Sequence, residues 1–291
     1  RDFGTGVVGC QPGDERGAKC VFGRVDGHRL DSKGGEMDVD FAASARLRLG
    51  GAVSAGNGWR VGGSLGFDDV GNLEADNSRT KGTGGFGFHA GLGIGKLFAG
   101  DRGEASLALT LGSQHYATER FQNIFEPGVG HATIRTRYVG ANAGLGFTLS
   151  SGTLFATPAI DLQAIRMTIG DFAESGLDGT GARSDGTSDW YLSATPKLTA
   201  GVKSGAIKLS GTVGYQLSDK GQIVAPIRLI GSPDASDPAM IRTLIDKEML
   251  MLGANVEVQA NSNAALQFGF KGLYGDRVKS ESANVKLVVR F

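Results

Sequence analysis

The sequence predicts an all-β chain closed into a 12-stranded antiparallel transmembrane β-barrel with short periplasmic turns and longer extracellular loops. Three observations carry that expectation. Apolar residues recur at every second position in twelve separate segments. The joints between those segments alternate between short and long. Glycine is over-represented, with 48 of 291 residues against a usual share of about 7%, and it concentrates on one face of the segments.

The first segment, 20–28, is short. In 36–49, Met37, Val39, Phe41, Leu47 and Leu49 oppose Asp38, Asp40, Arg46 and Arg48, and 58–68 carries Trp59, Val61, Leu65 and Phe67 on one parity. Segment 84–98 shows what the glycines are for: Phe86, Phe88, Ala90, Leu92 and Ile94 alternate with Gly85, Gly87, His89, Gly91, Gly93 and Gly95, so one face is bulky and the other nearly bare. Segments 103–116, 134–150 and 152–169 follow, the second with Val139, Ala141, Ala143, Leu145, Phe147 and Leu149 on one side. Leu192, Ala194, Leu198 and Val202 define the next, and Ile207, Leu209, Val213, Tyr215 and Leu217 the one after. The last three carry Leu250 to Val258, Leu266 to Tyr274, and Ala283, Val285, Leu287, Val289 and Phe291. Twelve is an even number, as bacterial single-chain barrels require.

Short joints (GGAVSAGNG, AGDRG, SSG, SG, NSN) alternate with longer polar ones at about 29–35, 69–83, 117–133, 170–188 and 218–247, while 275–278 breaks the long class. Pro158 and Pro196 fall inside strands, where a closed barrel has no edge to excuse a missing N–H, so bulges are expected there. Segment 233–247, with Asp237 before Pro238, reads as a short helix within the largest external loop.

Thirty basic and thirty acidic residues leave no basic stripe for nucleic acid. No apolar run reaches 18 residues, which excludes a helical membrane span and says nothing against strands that show lipid only every second side chain. Residue 1 is Arg and no signal segment follows it, so the chain reads as a piece of something longer. Cys10 and Cys20 flank a Gly/Pro/charged loop and read as a local disulfide formed in an oxidising compartment; two free thiols are the alternative.

A Lys or Arg on the lipid face at the bilayer midplane costs roughly 2–4 kcal/mol, so the polar, glycine-rich parity must face a hydrated lumen. That reading makes Arg46, Arg48, His89, Lys197, Lys208, Glu257, Lys271, Lys286 and Arg290 pore-lining. His89 falls on that parity, within the compass of Asp38, Asp40 or Asp161, and a solvated luminal imidazole is the plainer account. Asp38, Asp40, Asp161 and Glu257 are open to recruitment for cleavage of a segment inside the lumen, and solvation of a polar lumen is again the plainer account. No G-x-S-x-G elbow, metal cluster, phosphate loop or cofactor motif is present, and no enzymatic activity is expected.

With Cys20 to Val25 (CVFGRV) opening the first strand, Trp59 to Phe67 (WRVGGSLGF) in the third, twelve strands and a terminal Phe, residues 18–291 resemble the autotransporter β-domain family of type V secretion. The resemblance implies an outer-membrane translocator that anchors and secretes an N-terminal passenger; the alternative is a porin-like diffusion channel. It implies residues 1–19 as a linker and passenger stub, 20–291 as the barrel, and a linker that threads the pore as a helix. Residues 1–19 hold five glycines and a proline, poor helix material, so the plug is either upstream of Arg1 or an irregular segment held by the Cys10–Cys20 loop. Val285, Leu287, Val289 and Phe291 resemble the signal read by the barrel assembly machinery; they also suit a closing strand with an interface aromatic. The partners expected are outer-membrane lipid, the passenger segment in the lumen, that machinery and periplasmic chaperones, around a monomeric barrel.

Overall fold

A period-two sheet can shelter its polar face by curling upon itself, and the chain does so. A computed structural model describes residues 9–13, 15–33, 39–75, 79–122, 128–177, 180–233 and 237–291, with the backbone alone described at 39–41, 70, 72 and 73. The strands are β1 (Lys19–Ser32), β2 (Val39–Gly56), β3 (Trp59–Ala75), β4 (Thr80–Phe98), β5 (Gly103–Gln122), β6 (Gly128–Phe147), β7 (Leu149–Ser151), β8 (Leu154–Ile169) and β9 (Phe172–Ala173). They continue with β10 (Ala182–Ser184), β11 (Thr187–Ser204), β12 (Ile207–Ser218), β13 (Gln222–Leu229), β14 (Ala239–Leu244), β15 (Glu248–Gln259), β16 (Ala264–Tyr274) and β17 (Val278–Arg290).

Neighbouring strands pair antiparallel in the order β11-β12-β15-β16-β17-β1-β2-β3-β4-β5-β6-β8, and β11 pairs back onto β8. With β7 continuing the line of β6 against β8, the result is a closed 12-stranded antiparallel barrel. The seam runs unbroken from Cys20 opposite Arg290 to Ser32 opposite Val278. Large apolar side chains such as Leu65 (63% exposed), Leu92 (71%) and Leu109 (59%) stand on the outer parity, where a bilayer would cover them.

Four local expectations are corrected. The short joint at 50–58 is a two-residue turn, Asn57 (φ 51°) and Gly58 (φ 75°), because β2 runs on to Gly56; Asn-Gly is the pair that best tolerates positive φ at both turn positions. The joints at 69–83 and 117–133 are largely strand: β3 and β4, and β5 and β6, continue beyond the roughly 9–11 residues a crossing needs, and β5 has 20.

No bulge forms at Pro158 or Pro196. Pairing of β11 with β8 passes both without a register shift. The gaps lie on their other sides, where β11–β12 pairing skips Thr195 and Pro196 and the β6–β7 line breaks at Thr148, opposite Thr157 beside Pro158. A missing N–H removes a rung and need not insert a residue. Register shifts occur instead at Leu30/Ser32, Val39/Phe41, Ala42/Ser44, Ser54/Gly56 and Gly82/Gly84.

The helix expected at 233–247 is a strand. β14 pairs with β13 from Gln222 opposite Leu244 to Ile227 opposite Ala239, in a second sheet ordered β14-β13-β10-β9 on the long-loop side. Six residues containing Met240, Ile241 and Thr243 gain more from a neighbouring β edge than from an isolated helical turn. Residues 234–236 lie outside the described residues, as do 1–8 of the stub and Met37 and Asp38 of the second segment.

Candidate functional site

The lumen is filled at the turn end by the chain's own N-terminal segment. A disulfide joins Cys10 to Cys20. Cys10 (2% exposed), Cys20 (1%), Phe22 (3%) and Val288 (1%) form one buried cluster with Ala52 and Ala108. Ala108 belongs to β5, four strands from β1, so its place in that cluster reflects packing across the lumen. Gly9 lies against the Phe22 ring, where any Cβ would come within 2.9 Å of three ring atoms.

Backbone hydrogen bonds hold this strap to the wall: Gly17 N donates to Ser54 O (2.8 Å), and Ser54 N to Ala18 O (2.9 Å). Arg290 Nε donates to Gln11 O (3.2 Å). The described parts of the strap, 9–13 and 15–18, contain a turn at 15–17 and no helix.

Farther along, the wall carries a network of charges. Arg46 and Asp68 sit opposite each other in the β2–β3 register and form an ion pair in which Asp68 is 2% exposed. His89 Nδ1 stands 3.4 Å from Asp68 Oδ2, Arg48 Nε approaches His89 Nε2 at 3.2 Å, and Gln114 Nε2 donates to Asp68 Oδ2 at 3.3 Å. Arg24 and Asp26 pair beside them at 2.5 Å. The imidazole of His89 lies over Gly66, where a Cβ would overlap the ring. The glycines therefore seat inward side chains against the wall as well as widening the lumen.

The other residues expected on the inner parity are dispersed. Lys197 pairs with Asp161, so Asp161 does not approach His89, and the side chain of Asp40 is outside the described residues. Lys208 Nζ lies 4.8 Å from the Phe155 ring centroid. Glu257 accepts from Gln267 Nε2 at 3.1 Å. Lys286 is 2% exposed, and Lys271, on the same inward parity of β16, is exposed. At the C-terminus Val285 (45% exposed), Leu287 (51%) and Phe291 (72%) face outward, and Phe291 N donates to Lys19 O at 2.9 Å. Val289 shares their parity and is half-buried.

At the loop end the second sheet is tied to the barrel through Glu174 and through Ser32 Oγ, which donates to Leu244 O at 2.7 Å. Glu174, its side chain 8% exposed, is gripped by Arg120 through Nε to Oε1 (2.8 Å) and Nη2 to Oε2 (2.5 Å), and accepts from Ala182 N at 2.7 Å. Sequence reasoning missed Asp68, Gln114, Arg24, Asp26 and Glu174. Asp68 follows Phe67 on the inward parity of a recognised segment, but its opposition to Arg46 needs both the Asn57–Gly58 turn and the register shift between Ser54 and Gly56, without which Arg46 would face Asp69.

Among the described residues no group of His, Cys, Asp or Glu is arranged to hold a metal ion. The arrangement combines an occupied turn end, a charged luminal belt and a greasy exterior. A family model described as the autotransporter β-domain matches residues 21–271. No curated protein matches the chain in sequence. Among solved structures, the chain is similar to the translocator domain of the autotransporter NalP from Neisseria meningitidis (15% identity, TM-score 0.74, covering 94% of this chain and 88% of that one). It is similar to the β-domain of the Bordetella autotransporter BrkA (15%, 0.66, 94% and 99%) and to the transport unit of the autotransporter AIDA-I from Escherichia coli (13%, 0.61, 93% and 90%). At these identities the likeness to solved structures is one of fold.

Proposed function

The chain belongs to the autotransporter β-domain family, and from that premise we infer that it is an outer-membrane translocator which anchors a passenger joined at its N-terminus and carries it to the cell surface. The observation that carries the reading is the strap: the segment next to the passenger junction enters the barrel and is stapled to the luminal wall by Cys10–Cys20. Residues 1–19 then act as the linker and residues 20–291 as the membrane domain. The outward leucines meet outer-membrane lipid, and Arg46, Arg48, His89, Lys197, Lys208, Glu257, Lys271, Lys286 and Arg290 line the path. The C-terminal face from Val285 to Phe291 is read by the barrel assembly machinery after periplasmic chaperones deliver the chain. Catalysis is assigned to the passenger in this reading; among the described luminal acids, Asp26, Asp68, Asp161 and Glu257 are engaged by Arg24, Arg46, Lys197 and Gln267.

Single-channel conductance in planar bilayers tests it. The intact chain is expected to show low or flickering conductance that rises when residues 1–18 are deleted, a cut that spares the Lys19–Phe291 pairing. A smaller rise is expected on reduction of the disulfide. A stable open pore indifferent to both changes would transfer the assignment to a diffusion channel.

A further inference from the structure

The outer wall breaks its own rule at the seam, where the outward Arg29, Asp31, Lys279 and Glu281 balance one another in sign, and again in the sector of β6 and β8. Outward positions on barrel strands are apolar across the membrane, yet β6 carries Arg135 and Arg137 on the same parity as Val139, Ala141 and Ala143, and both arginines are exposed. At roughly 3.3 Å per residue, Arg137 lies about 7 Å and Arg135 about 13 Å beyond Val139 toward the loop side. Register places Arg137 beside Thr168 and Val139 beside Arg166, and Arg166 beside Trp190 on β11. Three guanidinium groups thus stand in one patch at the loop-side margin of the apolar band.

Two concavities meet at that patch. On the loop side a cleft of about 710 Å³ is lined by Arg135, Arg137, His115 and Thr168, and also by Asp171 and Asp185; Asp185 is engaged by Arg228. Arg166 Nε donates to Ser188 Oγ at 3.0 Å. Among the described residues the Arg135 and Arg137 guanidinium groups have no hydrogen-bond or ion-pair partner.

Directly below, toward the midplane, lies a groove of about 560 Å³ whose lining is overwhelmingly apolar. Its floor is small because alanines fall side by side in the register: Ala141 opposite Ala164, with Ala143 next on β6 and Ala194 opposite Leu162. Leu107, Leu162, Leu192 and Leu217 wall it. On β8 the outward residues pass from groove to cleft as Leu162, Ala164, Arg166, Thr168, so Arg166 stands at the junction.

We propose that this sector is a binding site for a phosphorylated, acylated lipid of the loop-side leaflet, with an acyl chain in the alanine-floored groove and phosphate held by Arg135, Arg137 and Arg166. The charge decides the occupant. A neutral acyl chain alone has no use for three arginines, and a second barrel packed by small residues would bring a like-charged patch against this one. Guanidinium forks match phosphate oxygens with paired hydrogen bonds, and Trp190 beside Arg166 suits the headgroup level. The site stands independently of the translocator reading, because it requires only that the barrel sit in a bilayer.

Native mass spectrometry of the purified barrel in micelles tests it, with a diphosphorylated, multiply acylated glycolipid as the probe. The dephosphorylated glycolipid, phosphatidylethanolamine and inorganic phosphate serve as comparisons. The wild type is expected to retain one diphosphorylated molecule in preference to the others, with inorganic phosphate failing to displace it. The triple variant Arg135→Ala, Arg137→Ala, Arg166→Ala should weaken retention about tenfold or more. Ala141→Leu with Ala164→Leu, which fills the groove and leaves the charges, should also weaken it. Arg29→Ala, on β1 across the barrel, should leave it unchanged. Each variant is checked for the heat-dependent gel shift of a closed barrel. Equal retention by the triple variant, equal retention of the zwitterionic lipid, displacement by phosphate alone, or a dimer that the groove-filling pair abolishes would each overturn the proposal.

Discussion

Asp68 gathers three partners in the lumen. It is 2% exposed and faces Arg46, His89 and Gln114 at once. Removing one partner of a buried charge pair leaves the other uncompensated, which costs more than the pair contributes when whole. Arg46 keeps 35% of its side chain exposed, so water recovers part of that cost. Asp68→Ala is therefore expected to destabilise the folded barrel by about 2–4 kcal/mol, read as a shift of the urea transition in micelles. Asp68→Asn should recover only a minor part, since it restores volume and a hydrogen bond but no charge. An unchanged midpoint in both variants would mean that the luminal belt is solvated rather than structural. The sequence showed that Arg46, Arg48 and His89 share a face; it did not show their partner, because cross-strand partners depend on register and register on the exact turn.

Elements were legible in proportion to the length of their alternation. The barrel strands repeat the period-two pattern often enough to outweigh any competing helix reading, and Pro158 and Pro196 do not disturb it because each turns its missing donor to one neighbour only. β14 has six residues, too few for periodicity to separate strand from helix, and its partner β13 supplies the deciding interaction from outside. β9 and β10, of two and three residues, leave almost no sequence trace. Their position depends on Glu174, which ties the segment to Arg120 on β5 and to Ala182 N. Glu174→Ala is expected to loosen this outer sheet by about 1–3 kcal/mol without opening the barrel. Trypsin should then cut at Arg183 earlier than in the wild type, while the heat-dependent gel shift persists. Protection of Arg183 unchanged by the substitution would assign the outer sheet's order to β10–β13 pairing instead.

At the scale of the whole molecule, closure is what the sequence could foretell only by counting strands, and it rests on the seam between β1 and β17. Phe291 lies just past that seam. Its backbone pairs with Lys19 in both directions, at 2.9 and 3.1 Å, yet its ring is 72% exposed and faces outward. An outward ring that touches little protein adds little to the stability of the finished barrel, and exposed substitutions away from packing usually change stability within about 0.5 kcal/mol. If the ring is instead read during assembly, its value is spent before closure, when β17 is still an unpaired edge available for strand addition. Phe291→Ala then separates the two roles: purified and refolded, it should unfold at the wild-type urea concentration, whereas in cells the amount of closed barrel in the outer membrane should fall several-fold. A parallel loss of stability in the refolded protein would make Phe291 an interface anchor rather than an assembly signal.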